Sequence, residues 1–387
     1  MTGGLTPSRE RLTELFLMLT ALPSPSRSER EVAEAVIAGL RAVGVAVQED
    51  GAGPATGGDT GNLWGTVDGD GEGPRVVLGA HLDTVKPTDV LEPFLDESGV
   101  FRNAGNTILG GDDKAAIAAL LHATELLKAS GEPFPSYELL FTVSEEQGLV
   151  GIKQFAQDAL RSPLGVVLDG SGPVGGMVVN APSMKTLRAT FKGRAAHAGM
   201  EPERGRSAVQ AAARAVAAMH LGRIDDETSA NIGIIHGGVA TNIVPETCVI
   251  EGECRGHDEQ KLAAVASGMV DAVHQAAAEM GVDVEVDLEH EFPAFALSSR
   301  SPAVRLGKAA LQAIGLESRM YGAGGGSDAN ILNARGLPTL NLSIGMMEVH
   351  SADEYLALDD LERLCSLILQ IIRLAPGFAP GGETAER

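Results

Sequence analysis

Five short stretches of this 387-residue chain carry side chains able to move protons or hold a cation. "GAHLDTV" sets His81 and Asp83 two residues apart. In an extended strand alternate side chains share a face, so imidazole and carboxylate would lie side by side. "LGGDDKAAI" supplies Asp112 and Asp113, "TVSEEQG" supplies Glu145 and Glu146, and "VVLDGSG" supplies Asp169. A late "MMEVHSADEY" adds His350. Each has a plainer reading. His81 would mark a solvated strand end, and Asp112–Asp113 would cap a helix after Gly-Gly. Ser144 with Gln147 would form a capping box, Asp169–Gly170 a turn, and His350 a helix start near acids.

Taken together they point further. The first four stretches lie at the carboxyl end of a predicted strand or at the start of the next helix. In open α/β sheets that edge is where ligands bind. No cysteine is nearby, so a metal site there would use nitrogen and oxygen donors, suited to zinc, cobalt or manganese.

The elements that must position these residues follow from apolar patterning. Two helices open the chain, the second with a capping-box pattern at Ser28–Glu31. Strands are predicted at "NLWGTV", "RVVLGAHLDT", "YELLFTVS" and "GVVLDG", with helices at "DDKAAIAALLHATELLK" and "VGIKQFAQDAL" between them. Such alternation defines an α/β layer. Around residues 183–190 the rhythm changes to strand, helix, strand, strand, helix, strand, the order of a ferredoxin-like α+β unit. After "FPAFALSSRSP" the α/β style returns and ends in the helix "LDDLERLCSLILQIIRL". The expected division is 1–184 and 298–387 for the α/β domain and 185–297 for the insertion, with the tail "APGFAPGGETAER" disordered.

Bulk properties narrow the class. A formal charge of −22 argues against a nucleic-acid partner, which needs clustered Lys and Arg. Cys248, Cys254 and Cys365 form no CxxC pair and are odd in number, so neither a disulfide framework nor a thiolate zinc site is expected. The charged, amphipathic start does not read as a signal peptide, and no apolar run is long enough to span a membrane. A cytoplasmic protein without membrane partners is expected.

"GAHLDTV", "LGGDDKAAIAAL", "FTVSEEQGLVG", "VVLDGSG", "GRAAHAGMEPERG", "ATNIVPE", "GGGSDAN" and "EVHSADEY" occur in one order along nearly the whole chain. That series resembles the peptidase T-like branch of the co-catalytic metallopeptidases. The wider family includes aminoacylases, glutamate carboxypeptidase and succinyl-diaminopimelate desuccinylase. The resemblance implies a three-layer α/β catalytic domain with a zinc-peptidase-type mixed sheet, interrupted by a ferredoxin-like lid and dimerisation domain. It implies two divalent ions, zinc foremost with cobalt or manganese as alternatives. Asp112 would bridge them, His81 and Asp169 completing one site and Glu146 and His350 the other. The charges suit this count, because three carboxylates and a hydroxide balance two divalent ions.

By the same resemblance Asp83 would accept a hydrogen bond from the far nitrogen of His81 and fix its tautomer. Glu145 would act as general base on the water between the metals. His197 in "AAHAG" would reach an active site, in many members the neighbouring subunit's, and stabilise the oxyanion. Asn242 and Arg255 match positions that hold substrate. Their plainer readings are a turn for Asn242 and pairing with Glu253 or Asp258 for Arg255. "GGGSDAN" would shape the substrate floor; no Lys-Ser/Thr follows it, against a phosphate loop.

Three departures stand out: "GNT" where peptidase T tends to have Asp-Gly-Thr, Ala115 where glycine is frequent, and Asp169 where desuccinylases carry glutamate. The implied activity is an aminopeptidase of short peptides, active as a homodimer through the lid. The alternatives are a carboxypeptidase or N-acyl amino acid amidohydrolase on the same scaffold, or a non-catalytic dimeric binding protein.

Overall fold

The computed structural model describes residues 5–378, which fall into two units. The first comprises the described residues up to Asn180, Ala296–Ala323 and those from Ser327; the second comprises Ala181–Phe295 and Gly324–Gly326. The expected insertion at 185–297 differs from the second unit by a few residues at each end. It also omits Gly324–Gly326, which sequence patterning had no means to place there. Of the tail expected to be disordered, Ala375–Gly377 form a 3-10 turn, and residues from 379 lie outside the described ones.

The first unit is built on a nine-stranded mixed sheet. Four neighbouring strands, Tyr137–Thr142, Val77–His81, Gly165–Gly170 and Thr339–Ser343, run parallel. Every residue of Val77–His81, Tyr137–Thr142 and Thr339–Ser343 is buried, so both faces of the sheet are covered and three layers result. The helix Gly111–Ser130, alanine-rich and almost wholly buried, packs on the strands Val77–His81 and Gly165–Gly170. Its own outer neighbours include Leu358–Leu374, which buries Leu361, Leu364, Leu367, Ile368 and Ile371 at helical spacing. Each such leucine taken from water contributes about 2 kcal/mol, enough for a few of them to fix the helix against Gly111–Ser130.

Two local expectations are corrected. The helix expected through Val150–Leu160 stops at Gln154, because Phe155 turns to extended backbone and packs edge-on to Trp64 at 5.6 Å. A separate 3-10 turn, Gln157–Ala159, follows. The capping box expected at Ser28–Glu31 does not form. The helix runs Arg30–Ala42, Asp59 caps the amides of Glu29 and Arg30, and the Glu29 side chain turns inward.

The second unit has a five-stranded antiparallel sheet in the order Gly222–Arg223, Thr228–Gly237, Thr247–Gly256, Ser183–Lys192, Asp283–Phe292. Without the short first strand this is the ferredoxin-like order. Leu187, Ala189 and Phe191 alternate inward along one strand, and Ala208–Ala218 and Glu259–Met280 close the core over them. The strand Thr228–Gly237 leaves Ile234 and Ile235 about half exposed, at 52% and 53%. Cys248, Cys254 and Cys365 are buried free thiols. No helix among the described residues is long and apolar enough to cross a membrane.

Candidate metal centre

The strand Val77–His81 ends at His81, and the Asp113 carboxylate accepts its amide at 3.0 Å. Asp112 and Asp113 open the helix Gly111–Ser130 with non-helical backbone, so neither serves as the cap that their position suggested. That task falls to Glu354, whose carboxylate accepts the amides of Gly110, Gly111 and Asp112 at 2.8, 3.0 and 3.1 Å. A negative group is favoured at this helix end. It leaves Asp112 free to face elsewhere.

Five side chains from the carboxyl edge of the parallel strands and the segments after them converge. Nε2 of His81 lies 3.2 Å from Oδ1 of Asp112 and 3.6 Å from Oδ1 of Asp169. Nε2 of His350 lies 2.9 Å from Oε1 of Glu146 and 3.3 Å from Oδ2 of Asp112. The two oxygens of Asp112 thus face different histidines. Each trio has its candidate ligand atoms within 4.8 Å of one another, as do His81, Glu145 and Glu146.

The donor set fits two divalent ions. Nδ1 of His81 sits 2.9 Å from the Asp83 carbonyl, which requires the proton on that nitrogen. In the neutral ring the Nε2 lone pair then faces two carboxylate oxygens, an arrangement that repels unless a proton or a metal cation lies between them. Two ligands at zinc–donor distances near 2.1 Å and tetrahedral angles stand roughly 3.4 Å apart, close to the separations found.

The titration behaviour has the same cause. Burial alone would lower the pKa of His81, but hydrogen bonding to Asp112, Asp169 and Asp83 raises it well above the usual value. His350, hydrogen-bonded to Asp112 and Glu146, is raised to about 10. Burial opposes ionisation of Asp112, yet His350 and His81 outweigh it and hold its carboxyl well below the ordinary range. Burial raises Asp169 to about 6. Burial, reinforced by Asp169, Glu146 and Asp328, lifts Glu145 well above the usual carboxylate range.

The geometry changes the expectation for Asp83. Its backbone carbonyl is the near partner of His81, while the carboxylate stands 3.5 Å from Nδ1. The strand ends at His81, so the two residues no longer follow strict strand alternation. The Asp83 carboxylate instead accepts the amides of Glu145 at 2.8 Å and Glu146 at 3.2 Å, and the Ser26 hydroxyl at 2.7 Å. Nor does Ser144 cap the turn Glu145–Gln147; its backbone is left-handed and its hydroxyl meets Glu29.

Several buried ionisable groups beside the site went unread in the sequence. Glu354 is raised to about 7 by burial and by Asp112. Lys114, buried, is lowered to about 7 and donates to the Leu22 carbonyl at 2.6 Å. Asp328 of "GGGSDAN" accepts from the Thr142 hydroxyl and is raised by burial to about 7. The signal for Glu354 was its place four residues after His350; for Asp328 it was an acid among small residues. The rest of that loop is engaged in packing and capping. A Cβ on Gly326 would sit 2.4 Å from the Phe292 ring, and Ser327 makes the capping box of the helix Asp328–Ala334.

His197, Asn242 and Arg255 lie in the second unit. Nδ1 of His197 accepts the amides of Gly199 and Met200 at 3.2 and 3.1 Å, so the neutral ring carries its proton on Nε2. Asn242 is exposed, and its carbonyl accepts the Ala198 amide at 2.9 Å. Arg255 pairs with both oxygens of Glu253, at 2.8 and 3.0 Å, and donates to the Gly324 carbonyl at 3.3 Å.

Residues 181–281 match the family model of a peptidase dimerisation domain, and residues 62–200 that of peptidase family M28. The chain is 37% identical over 368 residues to the uncharacterized protein YqjE of Bacillus subtilis, covering 95% of this chain and 99% of that one. It resembles the solved aminopeptidase PepT of Bacillus cereus at 36% identity, covering 96% of this chain and 100% of the other, with a TM-score of 0.84. A tripeptidase of Staphylococcus aureus shares 34% identity with the same coverage and a TM-score of 0.89. Fold and site together define a metal-dependent peptidase. Within that class the chain belongs to the M20 family, among its peptidase T-like members.

Proposed function

We propose that the protein is a dinuclear aminopeptidase of short peptides, tripeptides foremost, with Glu145 as general base. The observation that carries this reading is the Asp112 carboxylate, with Oδ1 toward His81 and Oδ2 toward His350. His81 and Asp169 would hold one divalent ion, Glu146 and His350 the other, and Asp112 both. The nitrogen and oxygen donors favour zinc, with cobalt or manganese able to substitute. When bound, the ions supply Lewis acidity toward the scissile carbonyl and acidify a water.

Glu145 takes a proton from the attacking water onto a carboxylate oxygen. Burial favours the protonated form, so Glu145 holds that proton and passes it to the leaving amine. Asp83 aims Glu145 through its backbone amide. The His197 ring, with its proton on Nε2, is a donor suited to the oxyanion. Asn242 and Arg255 are proposed substrate contacts, Asn242 through its exposed side chain and Arg255 through the part of its guanidinium that Glu253 leaves open.

The relatives described as an aminopeptidase and a tripeptidase support the amino-terminal reading. The match to a peptidase dimerisation domain supports a homodimer formed through the second unit. Three buried free thiols support a reducing, cytoplasmic setting.

The test is hydrolysis by metal-loaded protein of tripeptides with free or blocked amino ends, beside N-acyl amino acids. Cleavage of free but not blocked tripeptides is expected, with two ions bound per chain. Cleavage of blocked tripeptides or N-acyl amino acids alone would replace the aminopeptidase reading with the carboxypeptidase or amidohydrolase alternative.

A further inference from the structure

Glu29 is a glutamate with no exposed surface, inside the Ser28–Glu31 stretch where the sequence suggested only a capping box. Its Oε1 accepts the Ser144 amide at 3.0 Å, the Ser144 hydroxyl at 2.9 Å and the Arg27 amide at 2.9 Å. Ser144 lies 115 residues away in sequence and directly precedes the proposed base. It has φ 50° and ψ 42°, a left-handed backbone that serine adopts only when its surroundings hold it there. This turn points the amides of Ser144, Glu145 and Glu146 inward, a concave set of donors suited to anions. Two carboxylates fill it: Glu29 takes the first amide and Asp83 the next two. The loop bearing Glu29 also holds Asp83, because the Ser26 hydroxyl donates to Oδ2 of Asp83 at 2.7 Å.

The remaining oxygen of Glu29, Oε2, is buried with no hydrogen-bond partner. A half-satisfied buried carboxylate is expensive, and burial together with the nearby Asp83 raises its pKa to about 6. An apolar side chain would fill the space at less cost if filling space were all that was needed. What it could not do is hold Ser144.

We propose that Glu29 is a positioning residue for Glu145, fixing the left-handed Ser144 so that the base is aimed without Glu29 touching substrate or metal. The proposal rests on reading Glu145 as the base. It predicts that the turn Ser144–Glu146 loosens when the Oε1 acceptor is lost, and holds when an amide oxygen replaces it.

Two measurements on Glu29→Ala and Glu29→Gln test this. In metal-free protein, amide hydrogen exchange over residues 143–148 should quicken about tenfold or more in Glu29→Ala and stay near wild type in Glu29→Gln. In metal-loaded protein, kcat on a cleaved tripeptide should fall about 10²-fold in Glu29→Ala, with KM and two bound ions retained, and recover in Glu29→Gln. Ser144→Gly accepts the left-handed backbone without help and serves if Glu29→Ala does not fold. It should quicken exchange over the same residues and lower kcat, by less than Glu29→Ala.

Unchanged exchange and kcat in a folded Glu29→Ala, or in Ser144→Gly where the alanine variant does not fold, would overturn the proposal. So would equal loss in the alanine and glutamine variants, or a fall in activity that only tracks lost metal. Glu145→Gln separates the two readings: full turnover in that variant would remove the base, while the exchange result would still report whether Glu29 holds the turn.

Discussion

The Glu145 amide donates to Oδ1 of Asp83 at 2.8 Å, joining residues 62 apart in sequence. The same carboxylate takes the Glu146 amide, so Asp83 holds the backbone of the proposed base and of a proposed ligand together. Asp83→Asn would set an NH2 group against one of those two amides. The Asp83 carbonyl would still hold His81. We expect kcat to fall about 10²-fold with both ions retained, read by steady-state kinetics beside metal analysis. Loss of metal in step with activity would contradict it.

Glu145→Gln keeps the shape of the base and removes its ability to accept a proton. Turnover should fall at least about 10²–10⁴-fold. None of the five proposed ligands is altered, so metal stoichiometry by elemental analysis should remain at two per chain. A variant with full activity would exclude Glu145 as base.

The two histidines should respond differently to removal. His81 is 2% exposed and its ring meets Asp83, Asp112 and Asp169, whereas His350 is 48% exposed. His350→Ala should weaken one ion and leave a well-folded protein with one tightly held equivalent. His81→Ala should weaken the other ion and lower Tm as well, since it opens a buried site. Equilibrium dialysis and thermal melts distinguish the pair; identical behaviour would argue against two separate ion positions.

Metal-free protein should lose stability as pH rises from about 4 to about 7. Glu29 and Asp169, raised to about 6, and Asp328, raised to about 7, keep protons in the folded state that unfolded carboxyls release near their usual values. The native state then binds more protons, so the slope of stability against pH is negative. His350 has the same sign: its contribution is complete below about 6.5 and lost as pH climbs through about 10. Its half-exposed ring makes that part small. Lys114, lowered to about 7, acts oppositely but only above neutrality. Ions held by Asp169 and His350 would compete with the protons on those two groups, so chelator should lower Tm more at pH 7.5 than at pH 5. An equal shift at both would count against these assignments.

Dimerisation should depend on the strand Thr228–Gly237. Its Ile234 and Ile235 are about half exposed, and from Asn231 to Gly237 it pairs on one side only among the described residues. An aspartate at either isoleucine should shift the protein from dimer to monomer in light scattering. A mass unchanged by either substitution would move the interface elsewhere.

Much of the candidate site was legible because groups able to hold a metal are specific residue types, here at strand ends. His81, Asp112, Glu146 and Asp169 could be found from apolar runs that stop at polar residues, and His350 from the segment after the last such run. What stayed hidden were partners that share no local pattern. Glu29 went unread inside the Ser28–Glu31 capping-box pattern, a local rule, while its contact is 115 residues away. Glu354 likewise caps a helix that begins 243 residues earlier. The helix expected through Phe155 ended early for a reason outside its own periodicity, the packing of that ring on Trp64. Strand order in the second unit was foreseen because βαββαβ order leaves few ways to close a sheet.

His350 is separated from the other four converging side chains by the whole second unit. During synthesis the chain therefore carries His81, Asp112, Glu146 and Asp169 long before it carries the last donor. Glu354, which organises the start of the Asp112 helix, emerges only four residues after His350. A chain released early, anywhere before His350, would lack the histidine of the Asp112, Glu146 and His350 trio. On the proposed reading, both ion positions could be completed only after the second unit has been made.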